Sequence, residues 1–246
     1  MTDMEITRPL LKLLLEVGVA SRRKVSDAIR QGRVQVNGSI VENFSYLLDS
    51  SSDVVTVDGK RINLVSEPKV YLMLNKPVGV LSTVKDSKNR KTVINMLPYK
   101  YRSLRIYPVG RLDKNSTGLI LLSNDGQLTY QLTHPKFEHE KEYLIKIKQH
   151  LQPDAIRKIQ KGIELDDGIT YPAKIEKLNP TCYFNYSIVI HEGRKRQVRR
   201  MLDKLGYNVI ALKRVRIGTL ELGELEEGKI RKLSTNEVNM LLSNLC

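Results

Sequence analysis

Cysteine is nearly absent: Cys182 and Cys246 are the only two in 246 residues. Two thiols so far apart make neither a CxxC metal site nor a disulfide framework, so a reducing compartment, the cytoplasm, is the expected location. Histidine is scarce too. His134, His139, His150 and His191 lack metal-ligand spacing, and no metal site is expected. No apolar run reaches membrane-spanning length. The densest, Leu10-Leu11 and Leu13-Leu14-Leu15, is interrupted by Lys12 and followed by Glu16, and reads as a short core helix. A signal-peptide pattern, internal repeats and low-complexity segments are all missing. Acidic residues are in deficit, 27 Asp and Glu against 41 Lys and Arg, for a formal net charge of +14. That balance suggests a polyanionic partner, nucleic acid before membrane, because no long basic amphipathic helix accompanies it.

What is present suits one sizeable core plus a small second domain. Residues 1–62 read as the first domain, 63–69 as a polar linker and 70–246 as the second. In the first, residues 10–16 form a helix stopped at Gly18, and Ser21 caps a second helix over 22–30 that ends at Gly32. Val34 and Val36 alternate with polar residues into the two-residue turn Asn37-Gly38, and a similar turn follows at Asp58-Gly59. Basic residues gather on the second helix and its exit: Arg22, Arg23, Lys24, Arg30 and Arg33. Such a cluster is either a solvated helix face or a patch for phosphates.

The second domain reads as strands over 70–75, 119–122, 143–148 and 183–190, with helices over 126–133 and 153–161. A C-terminal helix follows the capping box Ser234-x-x-Glu237. Val198, Met201, Leu202 and Leu205 mark the apolar face of another helix, ended by Gly206. Strands mixed with isolated helices, without strict βαβ alternation, predict an α+β fold with a mixed, mainly antiparallel sheet.

The most informative stretch runs from Gly110 to Gly126. A charged, turn-rich segment holding Asp113 passes into an apolar strand and then into Asn124-Asp125-Gly126. On physics alone, an aspartate there is either an ordinary turn residue or a nucleophile fixed beside a rigid element. The wording GRLDxxxTGLxLLxxDG resembles the nucleophile segment of S4-domain ribosomal RNA pseudouridine synthases of the RsuA/RluB type, with Asp113 on the catalytic aspartate. The N-terminal domain resembles the S4 RNA-binding domain in Ser21-Arg22-Arg23, Gly32-Arg33-Val34 and Val36-Asn37-Gly38. Pro9-Leu10-Leu11-Lys12 stands where that family usually has Arg-Leu-x-Lys, a departure that bears on one phosphate contact rather than on the domain.

The resemblance extends over about residues 10–233 and implies roles for further residues. Asn75-Lys76-Pro77-x-Gly79 matches a first motif, with Lys76 free to reach a phosphate. Arg111 would help to hold a flipped nucleotide open. Lys141-Glu142-Tyr143 matches the motif with an active-site tyrosine, whose ring would stack on the target base and whose hydroxyl could move a proton. The segment from Glu192 to Met201 matches the last motif. At roughly 100° per residue Arg199 lies on the edge of the apolar helix face, about 60° from Leu202, while Arg196 and Arg200 point away. Arg199 is therefore the expected ion-pair partner of Asp113. Arg194, Lys195, Arg196 and Arg200, with Arg22, Arg23, Lys24, Arg30 and Arg33, are the expected RNA contacts.

The implied activity is isomerisation of one uridine in ribosomal RNA, free or in a pre-ribosomal particle, to pseudouridine. It needs neither cofactor nor metal, and the protein is expected to work as a monomer away from membranes. The segment Gly162-Ile163-Glu164-Leu165-Asp166-Asp167-Gly168 favours the large subunit. Two rival readings are a non-enzymatic RNA-binding protein and a hydrolase pairing Asp113 with Asp125 or Glu142.

Overall fold

Short runs of alternating apolar and polar residues, punctuated by glycine-containing turns, make this chain mainly a strand-former. The computed structural model describes residues 7–243. Cys246 and the outer ends of both assigned domains, residues 1–6 and 244–246, lie outside the described residues. The chain divides into two compact units. One contains the residues up to Lys69 together with Ser103–Arg105; the other contains Val70–Arg102 and the residues from Ile106 onward. Among the described residues no helix is long and apolar enough to cross a membrane.

The first unit contains β1 (Thr7–Pro9), α1 (Leu10–Glu16), α2 (Arg22–Arg30), β2 (Val34–Val36), β3 (Ser39–Ile40), β4 (Leu47–Asp49), β5 (Val55–Val57) and β6 (Lys60–Arg61). β1 pairs with β4, and a second sheet has the order β3-β2-β5-β6. The Ser21 hydroxyl accepts the Lys24 N–H at 3.4 Å, as its capping position requires. Leu10, Leu13 and Leu14 of α1 pack with Val25, Ala28 and Ile29 of α2 and with Val34, Val36, Leu48 and Val55. The polar face of α2 keeps Arg22, Arg23, Lys24 and Arg30 exposed.

The second unit contains β7 (Tyr71–Lys76), β8 (Tyr107–Val109), β9 (Thr117–Ser123), α3 (Gly126–Thr133), β10 (Lys141–Ile147), α4 (Pro153–Lys161), β11 (Glu164–Leu165) and β12 (Gly168–Ile169). After these come β13 (Lys174–Lys177), β14 (Tyr186–Ile190), α5 (Gln197–Lys204), β15 (Val209–Ile217), β16 (Leu220–Glu221), β17 (Ile230–Lys232) and α6 (Thr235–Ser243). Its main sheet has the order β13-β14-β10-β15-β9-β7-β17, with β8 added on β9 and β16 on β15. All these pairs are antiparallel except β9 with β15. The mixed, mainly antiparallel α+β architecture is the one that the element pattern predicts. Ser234 and Glu237 form the expected capping box, the Ser234 N–H donating to the carboxylate at 2.8 Å and the Glu237 N–H to the hydroxyl at 3.2 Å.

Several strands have no counterpart in the sequence reading, and the longest of them is β15. β15 is nine residues long and central, yet its pairing with β10 shifts register twice. Those irregularities break the period of two by which a strand is recognised, and Lys213, Arg214 and Arg216 dilute its apolar character.

Candidate active site

Asp113 lies in the loop between β8 and β9, and this loop is anchored residue by residue. The Leu112 N–H donates to the Ser82 hydroxyl at 3.1 Å, which donates back to the Leu112 carbonyl at 2.8 Å. The Asp113 carbonyl accepts the Ser116 N–H at 3.0 Å, and the Lys114 carbonyl accepts the Gly79 N–H at 2.8 Å. The Asn115 carbonyl accepts from the Arg199 guanidinium at 2.9 Å. The half-buried Asp113 carboxylate makes no hydrogen bond among the described residues. A fixed backbone with an uncommitted carboxylate is what a nucleophile requires, because its geometry is set before the substrate arrives.

Sheet order brings three side chains together. β15 runs between β10 and β9. Tyr143 of β10 is paired with Arg214 of β15, and the Arg214 guanidinium carbon lies 6.0 Å from the Tyr143 ring centroid. On the other side of β15, Arg214 is paired in parallel with Gly118, just after the Asp113 loop. Gly118 has φ +100°, and a Cβ there would overlap the Arg214 carbonyl oxygen and lie 2.7 Å from its nitrogen. Only glycine allows the two backbones this approach.

The result is a cavity of about 490 Å³, in the range of small-molecule sites, lined by Arg111, Asp113, Lys141, Tyr143, Gln197 and Arg214 among others. Tyr143 is 8 % exposed. The wall is strongly basic. Burial first, and the nearby Arg214 second, push the Lys141 amine down to about 8. The same burial, helped by Lys141, lowers the pKa of His139.

Several expected site residues are placed differently. Arg199 does not pair with Asp113: its guanidinium donates to the carbonyls of Asn115 and Val209, at 2.9 and 2.8 Å. It supports the loop two residues beyond the aspartate and does not line the cavity. The helical-wheel placement of Arg196 fails because α5 begins only at Gln197 and Arg196 precedes it with φ 52°. Arg196 is exposed at the cavity wall, beside Lys195. Arg194 and Arg200 are not free for RNA. Arg194 donates to the carbonyls of Asp167, Gly168 and Ile169 and to Glu192, and Arg200 grips Asp167 at 3.0 and 2.8 Å. Both tie the β11–β12 hairpin to the start of α5.

Lys76 is also no phosphate ligand, since it is 0 % exposed. Its amine donates to the carbonyls of Pro77 and Val80 at 2.9 Å and, at 3.5 Å, to that of Lys114. Burial pushes it down to about 8 from 10.5, against the pull of Asp113 and Glu227. Between those two values the unfolded chain holds a proton that the folded chain has lost, so stability rises with pH across the window. Lys141 adds to the rise. Urea denaturation at pH about 7 and about 10 is expected to show Lys76→Met losing about half of the wild-type increase. An undiminished increase in the variant would disconnect the Lys76 proton from folding.

The carboxylates that a hydrolase would use are committed elsewhere. Asp125 caps α3, accepting the Gln127 N–H at 2.9 Å and the Tyr71 hydroxyl at 2.8 Å. Glu142 accepts from Ser187 at 2.7 Å and Arg216 at 3.0 Å. Neither lines the cavity. Arg214 is a cavity residue that the sequence reading passed over, and Lys141 is one that it quoted in a motif without giving it a role. A basic residue on a strand, two positions after the buried Leu212, was the available signal for Arg214.

Residues 70–204 match the family model described as RNA pseudouridylate synthase, and residues 8–55 match the S4 domain. The chain is 42 % identical, over 235 residues and 94 % of each chain, to ribosomal large subunit pseudouridine synthase B of Bacillus subtilis (strain 168). It is 37 % identical over 238 residues to the Pseudomonas aeruginosa protein of the same name, covering 94 % of this chain and 61 % of that one. A crystal structure of a pseudouridylate synthase superposes with a TM-score of 0.67 at 33 % identity, covering 95 % of this chain and 99 % of the other.

Proposed function

This chain belongs to the RNA pseudouridylate synthase family, and on that premise we propose that it isomerises one uridine of large-subunit ribosomal RNA, with Asp113 as the reacting carboxylate. The observation that carries the reading is the uncommitted Asp113 carboxylate on an anchored loop, facing the same cavity as Tyr143. The names of the Bacillus and Pseudomonas relatives support a large-subunit substrate.

The glycosidic bond of a stacked uridine is out of reach, so the nucleotide must leave the RNA stack. Arg111 is exposed and lines the cavity, which supports the reading that it helps to hold the flipped nucleotide open. The Tyr143 ring stacks on the uracil, and its hydroxyl moves a proton. Asp113 assists cleavage of the C1′–N1 bond, the uracil turns, C5 joins C1′, and the C5 proton leaves. Arg199 positions the carboxylate through the Asn115 carbonyl. The product is an isomer of the substrate, so the reaction has no net change of oxidation state and consumes no co-substrate. Comparing pseudouridine maps of ribosomal RNA from cells with and without the gene tests the proposal. One large-subunit position is expected to lose the mark, and purified protein is expected to restore it. Unchanged maps would sink the reading.

The first unit supplies RNA grip. Arg22, Arg23 and Lys24 open α2, whose first turn holds no acidic residue. Cations there oppose the helix dipole, an arrangement unfavourable for folding alone and well suited to phosphate. Arg33 is already paired with Asp58 at 2.7 Å, and Arg30 lies 5.4 Å from the Phe44 ring. Replacing Arg22, Arg23 and Lys24 together by Ala is expected to reduce the slope of log affinity against log salt by about 2 to 3. Single-turnover rates at saturating RNA should stay within about twofold, since phosphate contacts position the RNA without taking part in bond-making. An unchanged salt slope would place the grip elsewhere.

A further inference from the structure

Strand β15 separates the strand carrying Tyr143 from the strand that leads out of the Asp113 loop, and its Arg214 is 3 % exposed. A buried guanidinium is normally surrounded by acceptors, because an unmatched charge taken out of water is strongly unfavourable. Arg214 is matched on one edge only, where Nε donates to the Leu119 carbonyl at 2.8 Å. Nη2 is enclosed and has no acceptor. No carboxylate forms an ion pair with Arg214 among the described residues. The side chain lines the cavity that Asp113 faces, and the neighbouring Lys141 adds positive charge to the same wall. Tyr143, with its ring 6.0 Å from the guanidinium carbon, helps to hold that carbon in place. The fold therefore keeps a preorganised donor without its acceptor.

The reaction proposed above produces such an acceptor. When C1′–N1 breaks, the bonding pair stays on the uracil, and conjugation spreads the negative charge over N1, O2 and O4. The same anion is nucleophilic at C5 and forms the C1′–C5 bond; C5 then loses its proton and N1 gains one. We propose that the Arg214 guanidinium, where it lines the cavity, donates to a uracil carbonyl oxygen and stabilises the base as an anion between the two bond changes. A donor fixed where charge develops, in a site shielded from water, is among the largest sources of rate acceleration available to a protein. This assignment rests on the reading of Asp113 and its cavity as the pseudouridine-forming site.

A stabiliser of the leaving base makes the rate depend on how stable that base is as an anion; a merely structural arginine does not. The test compares Arg214→Gln and Arg214→Lys with wild type under single-turnover conditions, on target RNA carrying uridine or 5-fluorouridine at the reactive position. Fluorine stabilises the anion by induction. Arg214→Gln is expected to slow consumption of uridine by about 10³-fold and that of 5-fluorouridine by at least about tenfold less, with RNA affinity within about threefold. Arg214→Lys should fall between Gln and wild type, because it keeps charge but not the planar fork. Equal losses on the two substrates, or no loss on uridine, would overturn the assignment. If the Gln variant does not fold, the Lys variant carries the same comparison. Wild-type protein that forms no pseudouridine would instead defeat the underlying reading, so the two failures are distinguishable.

Discussion

Asp113→Asn is expected to abolish pseudouridine formation, by about 10⁴-fold or more, while RNA affinity stays within about threefold. The replacement is nearly isosteric, and the carboxylate it removes makes no hydrogen bond among the described residues. What holds the loop is its backbone: Ser82 on Leu112, Gly79 on Lys114 and Arg199 on Asn115. An amide at position 113 leaves all of these intact, so the expected loss is one of chemistry and not of architecture. Single-turnover assays with pure variant protein and a filter-binding titration of the same RNA separate the two. Measurable turnover by the variant would remove Asp113 from the reaction.

Gly118→Ala is expected to destabilise the second unit by about 4 kcal/mol or more, among the larger effects of a single methyl group. Two penalties combine. The backbone at φ +100° disfavours any side chain, and the added Cβ would overlap the Arg214 carbonyl of the neighbouring strand. Relief requires β9 and β15 to separate at their parallel pairing, the contact that brings the Asp113 loop beside Arg214. The surviving folded fraction should therefore turn over poorly even under stabilising conditions. Urea denaturation measures the first effect; a change below about 1 kcal/mol would mean that this pairing opens easily.

Local signals carried much of the fold into the sequence. The Ser21 cap, the Asn37-Gly38 turn and the Ser234–Glu237 box each act within three or four residues, and the structure has them where those residues stand. The apolar faces of α1, α2 and α5 follow from helical period alone. Features that depend on distant partners were hidden. Arg194 and Arg200 look solvent-bound until the β11–β12 hairpin, some thirty residues upstream, supplies acceptors. Lys76 reads as free to reach a phosphate until the carbonyls of Pro77, Val80 and Lys114 close over it. Arg199 missed Asp113 because a wheel gives direction around an axis and says nothing about which backbone carbonyl lies in the way. The resemblance placed Asp113; it could not show that the arginine beside it holds a carbonyl.

An anchored loop also assigns the work of fitting. With Leu112 to Ser116 fastened from several elements, the protein has little freedom to follow a misplaced uridine, so the adjustment falls on the RNA. Sequences whose target is already poorly stacked, in a bulge or a strained loop, need less distortion than a uridine inside a regular helix. If Asp113 is the reacting group proposed above, selection among the many uridines of a ribosomal RNA would proceed by deformability as well as by contact, and a stiff loop would act as a gauge of how readily its substrate bends.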